Sequence, residues 1–154
     1  MAPTTTTTEG GLTRLNTRAS QGREDGINGG RHATRRPSGL VVDSEPVSRL
    51  IHTAVLHACG VAAQDVETGV QVLELFASGT RFDIVVLDVS FSGMRPFETT
   101  RMLRAMDGQA MLIGITANDF ETDRPAFLQA GGDELFAKPL TAAKLRRFLG
   151  EHGN

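Results

Sequence analysis

Four polar residues each follow a short apolar run. Asp43 follows Leu40-Val41-Val42, Asp88 follows Ile84-Val85-Val86-Leu87, Thr116 follows Met111 to Ile115, and Lys138 follows Glu134 to Ala137. Short apolar runs of this kind read as buried parallel strands. In open α/β sheets ligands bind beyond the carboxyl ends of the strands, so these four side chains are expected on one rim. Two carboxylates suit a hard cation such as Mg²⁺. An ammonium can hold a phosphoryl oxygen and a hydroxyl can donate to one, so the set suits phosphoryl transfer onto a carboxylate. Taken singly, each has a plainer explanation: Asp starts turns, Thr fills strands, and Lys before Pro is a solvated loop residue. All four at strand ends, in this order, are hard to derive from turn chemistry.

The elements that must position them alternate along the chain. Leu40–Val42, a weaker run Val61–Val66, Phe82–Leu87, Met111–Ile115 and Glu134–Ala137 are the expected strands. Between them lie helical stripes. After Pro46, which suits a first helical turn, Val47, Leu50, Ile51, Ala54, Val55 and Ala58 recur at helical spacing and are expected to face inward. Val72, Leu73 and Phe76 form a second stripe, and Thr99, Met102, Leu103 and Met106 a third. A fourth helix runs from about Glu121 to Ala130. A last one is capped by Thr141 and turns Leu145, Phe148 and Leu149 inward. Gly60, Gly79, Gly108 and Gly131-Gly132 stand where helices should stop. Five strands alternating with five helices predict a parallel sheet covered on both faces.

Composition divides the chain. Residues 1–39 hold a Thr4–Thr8 run and six Arg against three acidic residues; the remainder has ten basic against fifteen acidic residues. The first stretch cannot bury enough apolar surface to offset its ordering entropy and reads as a disordered tail, with a domain over 40–154. Its acidic residues and lack of an amphipathic helix argue against a transit peptide. The overall charge of −2 gives no indication of nucleic-acid binding. No apolar run is long enough to span a membrane. The single cysteine, Cys59, forms no internal disulfide and reads as a buried small apolar residue. His52 and His57 are five apart, not the four of paired helical metal ligands, and are expected at the surface or half-buried.

On the segments Leu40–Asp43, Phe82–Asp88, Ile113–Ala117 and Ala137–Pro139, with Met94 and Glu98, the chain resembles the response-regulator receiver family. The resemblance implies a doubly wound five-stranded sheet of order 2-1-3-4-5. It implies Asp88 as phosphoacceptor, with Mg²⁺ held by Asp43, Asp88 and a backbone carbonyl near Ser90. Lys138 would bind the phosphoryl group, and Thr116 would turn toward it to shift the domain between two states. Ser48–His52 and Lys138–Lys144 resemble plant stand-alone response regulators of type C or type A. There the donor is a histidine-containing phosphotransfer protein in a cytokinin-type relay, in the cytoplasm or nucleus. The protein is then a signalling phosphoacceptor, monomeric or weakly dimeric, without direct DNA binding, and any catalysis is its own phosphotransfer and dephosphorylation.

The chain departs from the family at several points. Ser44 replaces a second acidic residue, which predicts a weakened Mg²⁺ site. Phe91-Ser92 and Met94-Arg95-Pro96 replace Met-Pro and Met-Asp-Gly, and Leu135 replaces an aromatic partner of the switch Thr. Two alternatives follow: a pseudo-receiver that binds partners without phosphorylation, or a relay drain with phosphohistidine phosphatase-like activity. A flavin-binding reading lacks a phosphate loop, since Asp43-Ser44-Glu45 is acidic. A phosphatase of the haloacid-dehalogenase type lacks its second Asp, where Ser90 stands.

Overall fold

Strand and helix alternate from Ser38 to His152 in a computed structural model that describes residues 35–90 and 95–152. The elements are β1 (Ser38–Val42), α1 (Pro46–Ala58), β2 (Ala62–Val66), α2 (Gly69–Ala77), β3 (Ile84–Asp88), α3 (Pro96–Met106), β4 (Met111–Thr116), α4 (Phe120–Gln129), β5 (Glu134–Ala137) and α5 (Ala142–His152). All pairings are parallel, in the order β2-β1-β3-β4-β5 that the resemblance implies. Residues 37–78 and 82–152 belong to one compact unit; of the other, only residues 35–36 and 79–81 are described. The tail expected over 1–39 lies outside the described residues up to 34, as do Phe91 to Met94; its last two residues, Ser38 and Gly39, instead open β1, where they pair with β2. No helix among the described residues is long and apolar enough to cross a membrane.

Successive strand side chains point to opposite faces, and the core divides accordingly. Leu40, Val42, Val85, Leu87 and Leu112 pack with Val72, Phe76, Leu103 and Phe127 of α2, α3 and α4. Val41, Ile84, Val86, Ile113 and Ile115 pack with Leu56 of α1 and with Leu145 and Phe148 of α5. A Cβ on Gly114 would meet Leu135 Cδ1 at 2.7 Å and Phe127 Cζ at 3.0 Å, so its lack of a side chain lets α4 and β5 close on β4.

Helix ends follow the expected chemistry. Thr68 and Gln71 form a reciprocal capping box on α2. Thr141 Oγ1 accepts from Lys144 N at 3.2 Å at the start of α5. Gly60 follows α1 with φ 82°, a conformation other residues rarely adopt. Cys59, expected to be buried, is only half-buried, because it caps the C-terminal end of α1 beside α5; that partial burial pushes its thiol pKa up.

Two inward faces differ from expectation. On α1, Val47, Leu50 and Ile51 are exposed (61%, 70% and 43%), as are Ala54 and Ala58, while Ser48, His52 and Leu56 are buried. Ser48, His52 and Leu56 are spaced i, i+4, i+8, so they too form a stripe. Their polar members point inward because they have buried hydrogen-bond partners, which apolar periodicity does not register. His52 is therefore a core residue, whereas His57 is exposed. On α3, Thr99 and Leu103 turn inward as expected, but Met102 and Met106 are largely exposed.

Candidate functional site

The four strand-end residues converge. Asp43 and Thr116 are buried beside Asp88, which closes β3 at 2% exposure. Lys138 follows β5, and its N–H donates to Thr116 O at 2.8 Å, which extends the β4–β5 register past the strand. Its ammonium reaches back across the rim, 2.9 Å from Asp88 Oδ2 and 3.5 Å from Asp43 Oδ2. One cation thus faces two buried carboxylates.

Protein donors complete both carboxylates. Asp88 Oδ1 accepts from Ser90 N at 2.8 Å and from Ser90 Oγ at 2.5 Å. Asp43 Oδ1 accepts from Glu45 N at 3.0 Å, and Asp43 Oδ2 accepts from the Ser48 hydroxyl. Arg49 donates to Asp43 O at 2.9 Å. Glu45 caps α1, accepting from Ser48 N at 2.7 Å, so its carboxylate is engaged at the helix start. Ser44 is exposed. Arg95 is also exposed, 3.3 Å from Glu98.

The donor set suits a hard divalent cation: two carboxylates, each with lone pairs beyond those already used, and the Ser90 carbonyl. That carbonyl accepts from Asn118 Nδ2 at 2.9 Å and keeps a second lone pair. Among the described residues no group of three His, Cys, Asp or Glu side chains is placed to hold a metal. Two carboxylates and a carbonyl would hold such an ion, with water completing its shell.

Sequence reasoning missed four further contributors: Ser48, Asp123, Asn118 and His52. Thr116 Oγ1 donates to Asp123 Oδ2 of α4 at 2.7 Å and accepts from Asn118 N at 3.0 Å. The hydroxyl is thus bonded toward α4, and neither Asp123 nor Asn118 carried a sequence signal. Leu135 is 1% exposed and has no polar atom to follow Thr116. His52 Nε2 accepts from Leu140 N at 3.1 Å. That assigns the proton to Nδ1, which donates to Ser48 O at 2.8 Å and lies 3.3 Å from Ser48 Oγ. Burial holds the imidazole pKa below its ordinary value; the Lys138 charge lowers it too, and the Ser48 bond opposes both.

A five-stranded 2-1-3-4-5 sheet with Asp, Asp, Thr and Lys at the ends of four of its strands defines a receiver-type fold. Residues 40–149 match the response regulator receiver domain, and the chain belongs to that family. It is similar to two Arabidopsis thaliana proteins. Two-component response regulator ARR22 is 32% identical over 69% of this chain and 76% of its own length. Two-component response regulator 24 is 29% identical over 76% of this chain and 84% of its own length. Among solved structures, the receiver domain of the Pseudomonas aeruginosa sensor histidine kinase PA1611 superposes with a TM-score of 0.66. It is 29% identical and covers 75% of this chain and 96% of that one, and it holds a magnesium ion in its active-site cleft.

Proposed function

We propose that Asp88 accepts a phosphoryl group from a phosphohistidine on a histidine-containing phosphotransfer protein, in a His-to-Asp relay. The observation that carries this reading is the Lys138 ammonium, 2.9 Å from Asp88 and 3.5 Å from Asp43, where phosphoryl oxygens would arrive. An Asp88 oxygen attacks phosphorus. The new P–O bond forms as the P–N bond to the donor imidazole breaks, and the departing nitrogen keeps the electron pair. Lys138 pairs with the transferred oxygens. Thr116 leaves Asp123 and donates to one of them, which biases the domain toward its second state. Asp43, Asp88 and the Ser90 carbonyl would hold a Mg²⁺ ion, which when bound would supply charge neutralisation for the transferred group. Neutral Ser44 weakens that site relative to one with a second acid.

The partner's histidine must approach in line with Asp88. Val47, Leu50 and Ile51 form an exposed apolar stripe on α1, whose first turn starts three residues after Asp43. Exposed apolar stripes beside a site mark docking surfaces. A cytokinin-type input, a cytoplasmic or nuclear setting and a monomeric or weakly dimeric state belong to the same proposal.

A second reading, the pseudo-receiver, is favoured by a specific observation: all four carboxylate oxygens of Asp43 and Asp88 already accept from protein donors. Transfer from a radiolabelled phosphotransfer protein separates the readings. Label on wild type, with Mg²⁺ and absent from Asp88→Asn, supports the phosphoacceptor. Label released as free phosphate makes the protein a relay drain. Label retained by every donor leaves the pseudo-receiver.

A further inference from the structure

Lys138 sits just past β5, a four-residue strand that among the described residues pairs only with β4. Its backbone is tied on one side by its own N–H, which donates to Thr116 O. Two residues on, the Leu140 N–H is buried and donates to His52 Nε2 at 3.1 Å, across 88 residues of sequence. His52 is 2% exposed, so bulk water does not replace it there. Its other nitrogen donates to Ser48 O, in the turn of α1 whose hydroxyl holds Asp43. The bonds run without a gap from Leu140 through His52 and Ser48 to Asp43. The Lys138 ammonium then spans Asp43 and Asp88.

We propose that His52 is a positioning residue of the phosphoacceptor site, fixing the backbone that carries Lys138 relative to the helical turn that holds Asp43. This rests on the reading of Asp88 as acceptor. The competing explanation is a core histidine whose bonds only satisfy buried backbone groups. The two differ in what happens at the Lys138 ammonium. A merely structural His52 can be replaced at a cost in stability alone. A positioning His52 cannot be replaced without moving Lys138.

Two amide variants separate these cases, because each reproduces one ring nitrogen. In His52→Gln the side-chain oxygen reaches the Nε2 position and can accept from Leu140 N. In His52→Asn the shorter amide reaches only the Nδ1 position and leaves the Leu140 N–H unpaired. The full chain has two lysines, Lys138 and Lys144, so its ¹⁵N side-chain ammonium spectrum holds two signals. Lys144 is exposed, whereas Lys138 is largely buried against carboxylates and should exchange slowly with water. His52→Gln should keep the Lys138 signal and the rate of phosphoryl uptake from acetyl phosphate. His52→Asn should broaden or shift that signal and slow uptake about tenfold or more. An unchanged Lys138 signal in His52→Asn overturns the proposal, whatever happens to uptake. If wild type takes up no phosphoryl group while the Lys138 signal moves in the Asn variant alone, the acceptor reading falls and the positioning role of His52 stands.

Discussion

Around the ends of β1 and β5, Asp43, Ser48, His52 and the Leu140 backbone are bonded in series and almost wholly buried. At the end of β4, Thr116 is buried as well. Its partner Asp123, however, stands half-exposed in the first turn of α4, and Asn118 is exposed. The first region has backbone anchors that water does not reach, so its groups move only together. The second depends on one side-chain bond at the edge of solvent, which one rotation about a Thr side chain can break. A site that must hold charges in place and also report on them needs both kinds of region.

Removing the charge from the fixed region should have the largest effect. Lys138→Ala leaves two buried carboxylates without their cation and the phosphoryl group without a partner. Uptake should fall about a hundredfold or more. Uptake within a few-fold of wild type would mean that the ammonium serves only the resting state. Adding a charge tests the same region from the other direction. Ser44→Asp should tighten Mg²⁺ about tenfold, by one more oxygen ligand and one more negative charge. The chain has no Trp or Tyr, so calorimetry is the suitable readout. An unchanged titration would place residue 44 outside the ion's reach.

The movable region should respond less, and in the opposite sense. Asp123→Ala frees the Thr116 hydroxyl from its 2.7 Å bond. A net hydrogen bond of about 1 kcal/mol corresponds to a shift of about fivefold toward the state in which Thr116 faces Asp88. The lifetime or yield of the acyl phosphate should rise by that order. A fall would mean that Asp123 supports the active arrangement instead.

The smallest effect is on stability. Burial keeps the His52 pKa below its ordinary value, so the unfolded chain takes up the proton first as the pH falls. The stability due to neutral His52 is complete above about pH 6.5 and declines below it, by at most about 1.4 kcal/mol per pH unit. Denaturant titrations of wild type and His52→Gln should run parallel above that pH and converge or cross below it. Parallel curves throughout would show that His52 titrates alike in both states.

Each region was legible in the sequence only in part. Asp43, Asp88, Thr116 and Lys138 could be read because each ends an apolar run and strand ends share a rim. The inward face of α1 could not, because Ser48 and His52 are polar and apolar periodicity pointed to Val47, Leu50 and Ile51. The partners that bring Ser48 and His52 inward are Asp43 and Leu140, the latter 88 residues from His52, so only the closed fold shows them. The Thr116–Asp123 bond was equally hidden, since an Asp in the first turn of a helix already has a sufficient local reason to be there.

Phosphorylation at Asp88 itself is the central claim. Borohydride reduces an acyl phosphate and spares free carboxylates, so it converts a phosphorylated aspartate to homoserine. Wild-type protein should be charged by a phosphohistidine donor in Mg²⁺, reduced, cleaved and mapped by mass. Homoserine at position 88 and at no other aspartate is the expected result. Homoserine at position 43, or at none after the donor has lost its label to the protein, would contradict the account.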